Sequence, residues 1–291
     1  MALPVGVTES SFGSASEGAA LLRERSLIEW LRAQQRGVLV GFSGGVDSSY
    51  LACVAVAALG PSRVLAVIGR SASFPAEQWK SARDVAKRFA IPCEEVDTFE
   101  LADPQYAANP SNRCYFCKRA LWSRLAPLAE ARGFILLDGT NADDLSDHRP
   151  GSAAGRERGV LSPLAQAGLT KADIRRLSAL RGLPTAAVPS SPCLASRLPY
   201  GTSVTAERLA QVERAERALR DLGVEGDLRV RHHGDLARVE LSPVELERWI
   251  HPAASGPLWR AVTAAGFSRV ALDLRGFRSG SLNVLAGVVA G

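Results

Sequence analysis

The stretch Val38-Leu39-Val40-Gly41-Phe42-Ser43-Gly44-Gly45-Val46-Asp47-Ser48-Ser49 decides how the rest of the chain is read. Its first five residues form a short apolar run with the length and β-branched content of a buried strand. From Asp47 to about Ala58 the pattern turns helical. Between the two, a pair of glycines permits a tight turn that points successive N–H groups inward. That makes an anion nest at a helix N-terminus. Gly44 and Gly45 supply backbone donors, and Ser43, Ser48 and Ser49 add hydroxyls. Asp47 beside a bound polyphosphate calls for a Mg²⁺ ion between the like charges. The loop has no Lys-Ser/Thr pair and no G-x-G-x-x-G, which excludes a Walker A loop and a dinucleotide fingerprint.

Working outward, Val64–Ile68, Ile91–Val96 and Phe134–Asp138 read as further strands. Trp79, Ala82, Val85, Ala86 and Phe89 recur at helical spacing between them, as do Phe116, Leu121, Leu125, Leu128 and Ala129. Such alternation predicts βαβ crossovers and an α/β fold with a doubly wound, mostly parallel sheet. Asp138-Gly139-Thr140-Asn141-Ala142-Asp143-Asp144 then falls at a strand's carboxyl end, where ligands bind in open α/β sheets. Gly139 and Asp144 are its candidates, Asp144 to help hold the metal or to order the turn. An amphipathic helix is expected from Leu21 to about Gln35. Another, carrying Ile174 and Leu177, is capped by Thr170 with Asp173 and stopped by Gly182 and Pro184.

This first domain is expected to span residues 18–186, after a Ser/Gly/Ala-rich flexible leader at 1–17. From 187 to 291 the grammar changes to a smaller α+β domain. It has a long helix with Leu209, Val212, Leu219 and Leu222, then strands at Leu228–His232 and Leu236–Leu241 broken at Gly234-Asp235. A helix from about Pro243 and a strand near Val270–Leu274 complete it.

With 291 residues, 46% apolar and 22% charged, the chain has core enough for two globular domains and is no disordered tail. Lys and Arg number 35 against 30 Asp and Glu, an excess of +5 without blocks, which suits anionic small molecules and weak nucleic-acid binding alike. The longest uncharged stretches, Ser48–Ser62 and Ser279–Gly291, are too short to span a bilayer. The first basic residue is Arg23, so a secretory signal's charged start is missing and a cytoplasmic location is expected.

Five cysteines are an odd number, and a cytoplasmic chain needs no disulfide framework. Cys53 and Cys93 read as core packing. Cys114 and Cys117 form a Cys-x-x-Cys pair just before a helix. There the helix terminus with Arg113 and Lys118 is expected to lower the thiol pKa values. Cys193 sits in a Pro/Ser-rich stretch. Three readings stay open. A zinc site lacks an evident fourth ligand, a Cys114–Cys117 redox disulfide leaves Cys193 over, and a [4Fe–4S] cluster on three thiolates leaves one iron free for an extra sulfide. Arg197, Arg229 and Arg231 are candidate clamps for carboxylate and phosphate groups, the last two sharing a strand face. His232 and His233 point to opposite faces and form no metal pair. Glu213, Glu216 and Glu240 stay open between salt bridges, metal binding and orienting those arginines.

Ser-Gly-Gly-x-Asp-Ser resembles the pyrophosphate loop of the ATP-pyrophosphatase (PP-loop) superfamily, and Gly139-Thr140-Asn141-x-x-Asp144 is similar to a second segment of it. With them, Pro192–Gly201, Arg229–Glu240 and Gly276–Asn283 resemble the ATP-dependent sulfur transferases of nickel-pincer nucleotide biosynthesis, the LarE family. The likeness covers most of the chain after the leader. It implies that ATP adenylates a carboxylate of pyridinium-3,5-biscarboxylic acid mononucleotide and that a sulfur nucleophile then displaces AMP to leave a thiocarboxylate. In one branch the cysteine matching Cys193 surrenders its sulfur and becomes dehydroalanine. In the other it joins a Cys-x-x-Cys pair on a [4Fe–4S] cluster carrying an additional sulfide, and Cys114 with Cys117 places this chain there.

The resemblance also implies a sulfide source or cysteine desulfurase as partner, and a homo-oligomer such as a hexamer. A tRNA thiolase is the runner-up and would need an RNA-binding surface. Glu interleaved with Arg along the second domain's long helix speaks against a nucleic-acid partner. An ammonia-using ligase would leave the three cysteines idle, and a non-catalytic sulfur carrier would leave the loop idle.

Overall fold

The computed structural model describes residues 15–145, 150–189 and 191–278. Four strands, β1 (Val38–Gly41), β2 (Val64–Arg70), β3 (Cys93–Asp97) and β4 (Ile135–Leu137), pair in parallel in the order β3-β2-β1-β4. Val38 lies beside Val64 on one side and Ile135 on the other. Around them run α1 (Ala15–Ala33), α2 (Val46–Leu59), α3 (Ala76–Arg88), α4 (Pro104–Ala107), α5 (Arg113–Arg132), α6 (Pro150–Arg156), α7 (Pro163–Gln166) and α8 (Lys171–Leu180).

Side chains of β1, β4 and the start of β2 alternate between two covered layers, which is why those stretches are apolar, whereas the edge strand β3 carries Glu94, Glu95 and Asp97 and stays partly exposed. Val38, Val40, Ala66 and Ile68 pack with α1, α2, α3 and α8 on one face. Leu39, Leu65, Val67 and Leu136 pack with Trp122, Leu125 and Ala129 of α5 on the other. Because β2 and β3 lie to one side of β1 and β4 to the other, the chain reverses direction between β1 and β4. The crevice at their carboxyl ends is where open α/β sheets take ligands. The loops Ser43–Gly45 and Asp138–Asp144 both start there.

A separate mixed sheet follows. β5 (Leu228–His233) and β6 (Leu236–Leu241) form an antiparallel hairpin, with β7 (Arg269–Leu272) parallel to β6. The helices of this part are α9 (Ala206–Asp221), α10 (Pro243–Trp249) and α11 (Pro252–Ala264). Its core joins Leu209, Val212 and Leu219 of α9 to Val230, Val239 and Val262, and it takes in Tyr106 of α4 and Phe116 of α5. The second sheet therefore rests on the segment that carries the Cys-x-x-Cys pair.

Some expectations move. α1 begins at Ala15, so Ala15–Glu17 leave the expected leader, an Ala-rich turn with Glu17 in its first turn being well suited to a helix N-terminus. The remainder of the leader, and Ser279–Asn283 of the terminal motif, lie outside the described residues. The helix from Pro243 stops at Trp249, and α11 starts anew with Pro252 at its first position, where a missing N–H costs nothing. No described helix is long and apolar enough to cross a membrane.

Helix α8 begins as the sequence predicts. Thr170 accepts from the Asp173 amide, Asp173 accepts from Thr170, and Arg23 of α1 reaches the same carboxylate at 2.7 Å. Thr170→Ala is expected to lower stability by about 1 kcal/mol. Urea denaturation should show this as a lower midpoint with an unchanged slope.

Candidate active site

The turn after β1 is held open by its own hydroxyls. Ser48 Oγ accepts from the Ser43 amide at 3.2 Å, lies 3.1 Å from Ser43 Oγ and donates to the Gly45 carbonyl. Gly44 has φ +68°, and a Cβ there would sit 2.5 Å from that of Ala82, so only glycine fits. Gly45 caps α2 without a side-chain bond, leaving the helix N-terminus to an outside acceptor. Ser43 is exposed, Ser48 is buried within the turn, and Ser49 lies fully inside α2.

The loop after β4 rests directly on this turn. A Cβ on Gly139 would come within 3.0 Å of the Ser48 amide nitrogen. Asn141 Nδ2 donates to Asp47 Oδ1 at 3.3 Å, and Asp144 accepts from the Asn141 amide at 3.1 Å, so Asp144 orders its own turn. Lys171 joins the two loops, its amide on Asp143 at 2.8 Å and its ammonium on Asp47. Sequence reasoning passed over Lys171. The signal was its place directly after the Thr170 cap, where a helix start faces the carboxyl edge of the sheet.

Cys114, Cys117 and Cys193 lie near enough to influence one another. Cys114 is exposed, and Cys117 and Cys193 are half-buried. The expected lowering of the pair's pKa values is overturned. Desolvation first, then the charges of Cys193 and Glu100, push Cys117 up to about 12. Cys114 shifts the same way, by desolvation and then Cys193, although the residue as a whole stays exposed. Arg113 and Lys118 pull the other way and lose. Both shifts favour the neutral thiol, and a bound metal would favour the thiolate instead.

Among the described residues no three His, Cys, Asp or Glu side chains surround one ion position. Cys114, Cys117 and Cys193 are near enough to shift one another's titration, and a [4Fe–4S] cluster would take one thiolate on each of three irons. The three thiols do not suit a closed four-ligand zinc site. The Tyr106 hydroxyl is buried beside Cys193, Cys117 and Ser73, without a well-formed hydrogen bond among the described residues.

The segment Ser73–Gln78, leading into α3, ties the two regions together. The Leu194 amide donates to the Ser73 carbonyl at 2.8 Å, and Gln78 Nε2 donates to the Ser43 carbonyl at 2.9 Å. Five residues of chain separate these anchors, at most about 18 Å even if extended. A cleft of about 130 Å³ opens alongside, lined by Gln78, Glu213, Arg217, Arg220 and Arg229 over the Arg197–Glu216 pair. Arg229 is buried, donates to the Leu228 carbonyl at 2.6 Å and lies over the Phe277 ring, and desolvation together with Arg197 lowers its pKa to about 10. Arg231 is occupied differently, on Glu240 at 2.8 Å and the Ser196 carbonyl at 3.0 Å. Arg217 and Arg220 were missed as site residues, though they follow Glu213 and Glu216 at helical spacing.

The NAD synthase family profile matches residues 25–114, which hold the glycine turn. An uncharacterized protein of Synechocystis sp. is 45% identical over 246 residues, 84% of this chain and 91% of that one. Pyridinium-3,5-bisthiocarboxylic acid mononucleotide synthase of Lactiplantibacillus plantarum is 35% identical over 262 residues, 90% of this chain and 94% of that enzyme. The chain belongs to the LarE family. Like the family, it is an ATP-using sulfurtransferase. An NH(3)-dependent NAD(+) synthetase of Pyrobaculum aerophilum is 44% identical over only 72 residues, 25% of this chain and 27% of its own. That likeness covers a quarter of the chain only.

The two histidines of the LarE-like segment are not paired. His232 is buried between Gln211, at 3.2 Å, and the Phe267 ring, while His233 faces the arginine side. Desolvation leads in lowering both pKa values, followed by Arg208 at His232 and Arg238 at His233. The unfolded chain therefore binds these protons more tightly, and stability rises with pH through the histidine range. Denaturation curves should show stability falling as pH drops below about 6.5, with a shallower fall in His232→Gln. For the turn, Gly44→Ala should weaken ATP binding by at least about tenfold in calorimetry, with circular dichroism unchanged.

Proposed function

We propose that this chain adenylates a carboxylate of pyridinium-3,5-biscarboxylic acid mononucleotide with ATP and then replaces the activated oxygen by sulfur. A carboxylate resists substitution because oxide is a poor leaving group. Attack of its oxygen on the α-phosphorus of ATP releases pyrophosphate and makes AMP the leaving group. A sulfur nucleophile then adds to the acyl carbon, the C–S bond forms, the C–O bond to AMP breaks, and a thiocarboxylate remains. The glycine turn, with the donors of Ser43, Gly44, Gly45 and Ser48, takes the polyphosphate. Asp47 is the carboxylate that meets the Mg²⁺ arriving with ATP.

Arg229, with Arg217 and Arg220 nearby, takes the anionic groups of the mononucleotide. Cys114, Cys117 and Cys193 are the residues that would hold a [4Fe–4S] cluster, which when bound supplies an open iron for an extra sulfide. A sulfide source or cysteine desulfurase is the partner this chemistry needs. The single observation supporting the reading is the Ser73–Gln78 segment, whose ends grip the phosphate turn and the Cys193 loop.

The test is incubation of anaerobically purified protein with ATP, Mg²⁺, the mononucleotide and sulfide. Equal amounts of AMP and pyrophosphate should accompany each thiocarboxylate formed. Cys193→Ser should lose sulfur transfer by at least about a hundredfold yet still exchange labelled pyrophosphate into ATP when the mononucleotide is present. Iron and sulfide in the protein, with unchanged polypeptide mass after turnover, favour the cluster route. A colourless protein lighter by one H₂S, stopping after a single turnover, gives the assignment to a sacrificial Cys193. No AMP at all overturns the proposal.

A further inference from the structure

We infer that Arg197 and Glu216 form a positioning pair that fixes the backbone of Cys193, and that Arg197 is not a substrate clamp. The inference rests on the proposed sulfur transfer only for its kinetic readout. Arg197 is 2% exposed, and its guanidinium is committed on every side. Nε and one Nη hold the two oxygens of Glu216 at 2.9 and 3.0 Å. The other Nη donates to the Pro192 carbonyl at 2.6 Å, the Cys193 carbonyl at 3.2 Å and Ser196 Oγ at 3.1 Å. A guanidinium has five N–H donors, and these contacts engage four of them. One N–H is left, whereas a fork on a carboxylate or phosphate needs two.

Glu216 is equally committed. The oxygen that takes Arg197 Nε also accepts the Val230 amide at 3.0 Å. Val230 lies on β5, an edge strand of the small sheet, so one carboxylate joins α9, β5 and the Cys193 loop. Further along that loop, Arg113 donates to the Ala195 carbonyl at 3.0 Å and Arg231 to that of Ser196 at 3.0 Å. These contacts brace the rest of the segment. The carbonyls of Pro192 and Cys193 depend on Arg197 for their side-chain donor. Loss of Glu216 frees Arg197, and the Pro192–Cys193 backbone is then held, among the described residues, only by the Ser196 amide on the Cys193 carbonyl and by the neighbouring Leu194–Ser73 bond.

The variants are Glu216→Gln, which sets an amide donor against the guanidinium, and Glu216→Asp, which keeps the charge but shortens the reach. Sulfur transfer at saturating mononucleotide should fall about tenfold in Glu216→Gln and about threefold in Glu216→Asp, with KM moving less than about twofold. In metal-free protein, iodoacetamide should label Cys193 about fivefold faster in either variant, with Cys93 unchanged as internal reference. A rise in KM with kcat preserved would make the pair substrate ligands and overturn the inference, as would unchanged labelling of Cys193. If the wild type forms no AMP, the proposed function falls, and the labelling rates still decide the role of the pair.

Discussion

Buried carbonyl oxygens need donors, and the stretch from Pro192 to Thr202 turns several of them inward. Arg197 takes those of Pro192 and Cys193, Arg113 that of Ala195, Arg231 that of Ser196, and Asn109 those of Pro199 and Thr202. An unsatisfied buried acceptor costs about 1–3 kcal/mol, so an undonated loop of this kind would not stay in one conformation. All of these donors but Asn109 are cations, and burying cations needs counter-charges in turn. Glu216 and Glu240 supply these for Arg197 and Arg231. A pair of this sort adds little net stability against an apolar replacement, yet removing one partner costs about 3–5 kcal/mol. Its value lies in specifying where Cys193 goes.

That bracing explains how two different sheets share one site. The parallel sheet sets the glycine turn at the reversal between β1 and β4, and the small sheet carries Arg229 and Arg231 on its polar face. Neither sheet reaches the other's chemistry alone. Tyr106 and Phe116 enter the second core from helices of the first part, so the Cys-x-x-Cys pair, flanking Phe116, sits at the seam. The segment Ser73–Gln78 closes the gap from the opposite side. The Ser73–Gln78 segment thus links the Cys193 loop to the glycine turn.

Much of this was legible in the residues. The apolar run before Ser43, the glycine pair and the Thr170/Asp173 cap each state a local preference that packing reinforces. The strand alternation also held, with Arg229 and Arg231 on one face and His232 on the other. The charges at the cysteines were misread. Neighbouring Arg113 and Lys118 are visible in the sequence, but the desolvation that outweighs them is set by what folds over the thiols. Arg217, Arg220 and Lys171 went unnoticed because surface arginines and lysines look alike until a partner is placed opposite.

The sequence by itself determined the strand–turn–helix that prefers an anion, the parallel α/β class and the three cysteines, because these follow from backbone sterics and periodicity within short windows. Tertiary structure alone decided that Asp47 meets Lys171, that Arg197 spends its donors on the Cys193 loop, and that thiols 76 residues apart, as Cys117 and Cys193 are, come together. Each of those is a contact between distant segments, fixed by which buried polar groups must satisfy one another. No local pattern encodes that requirement.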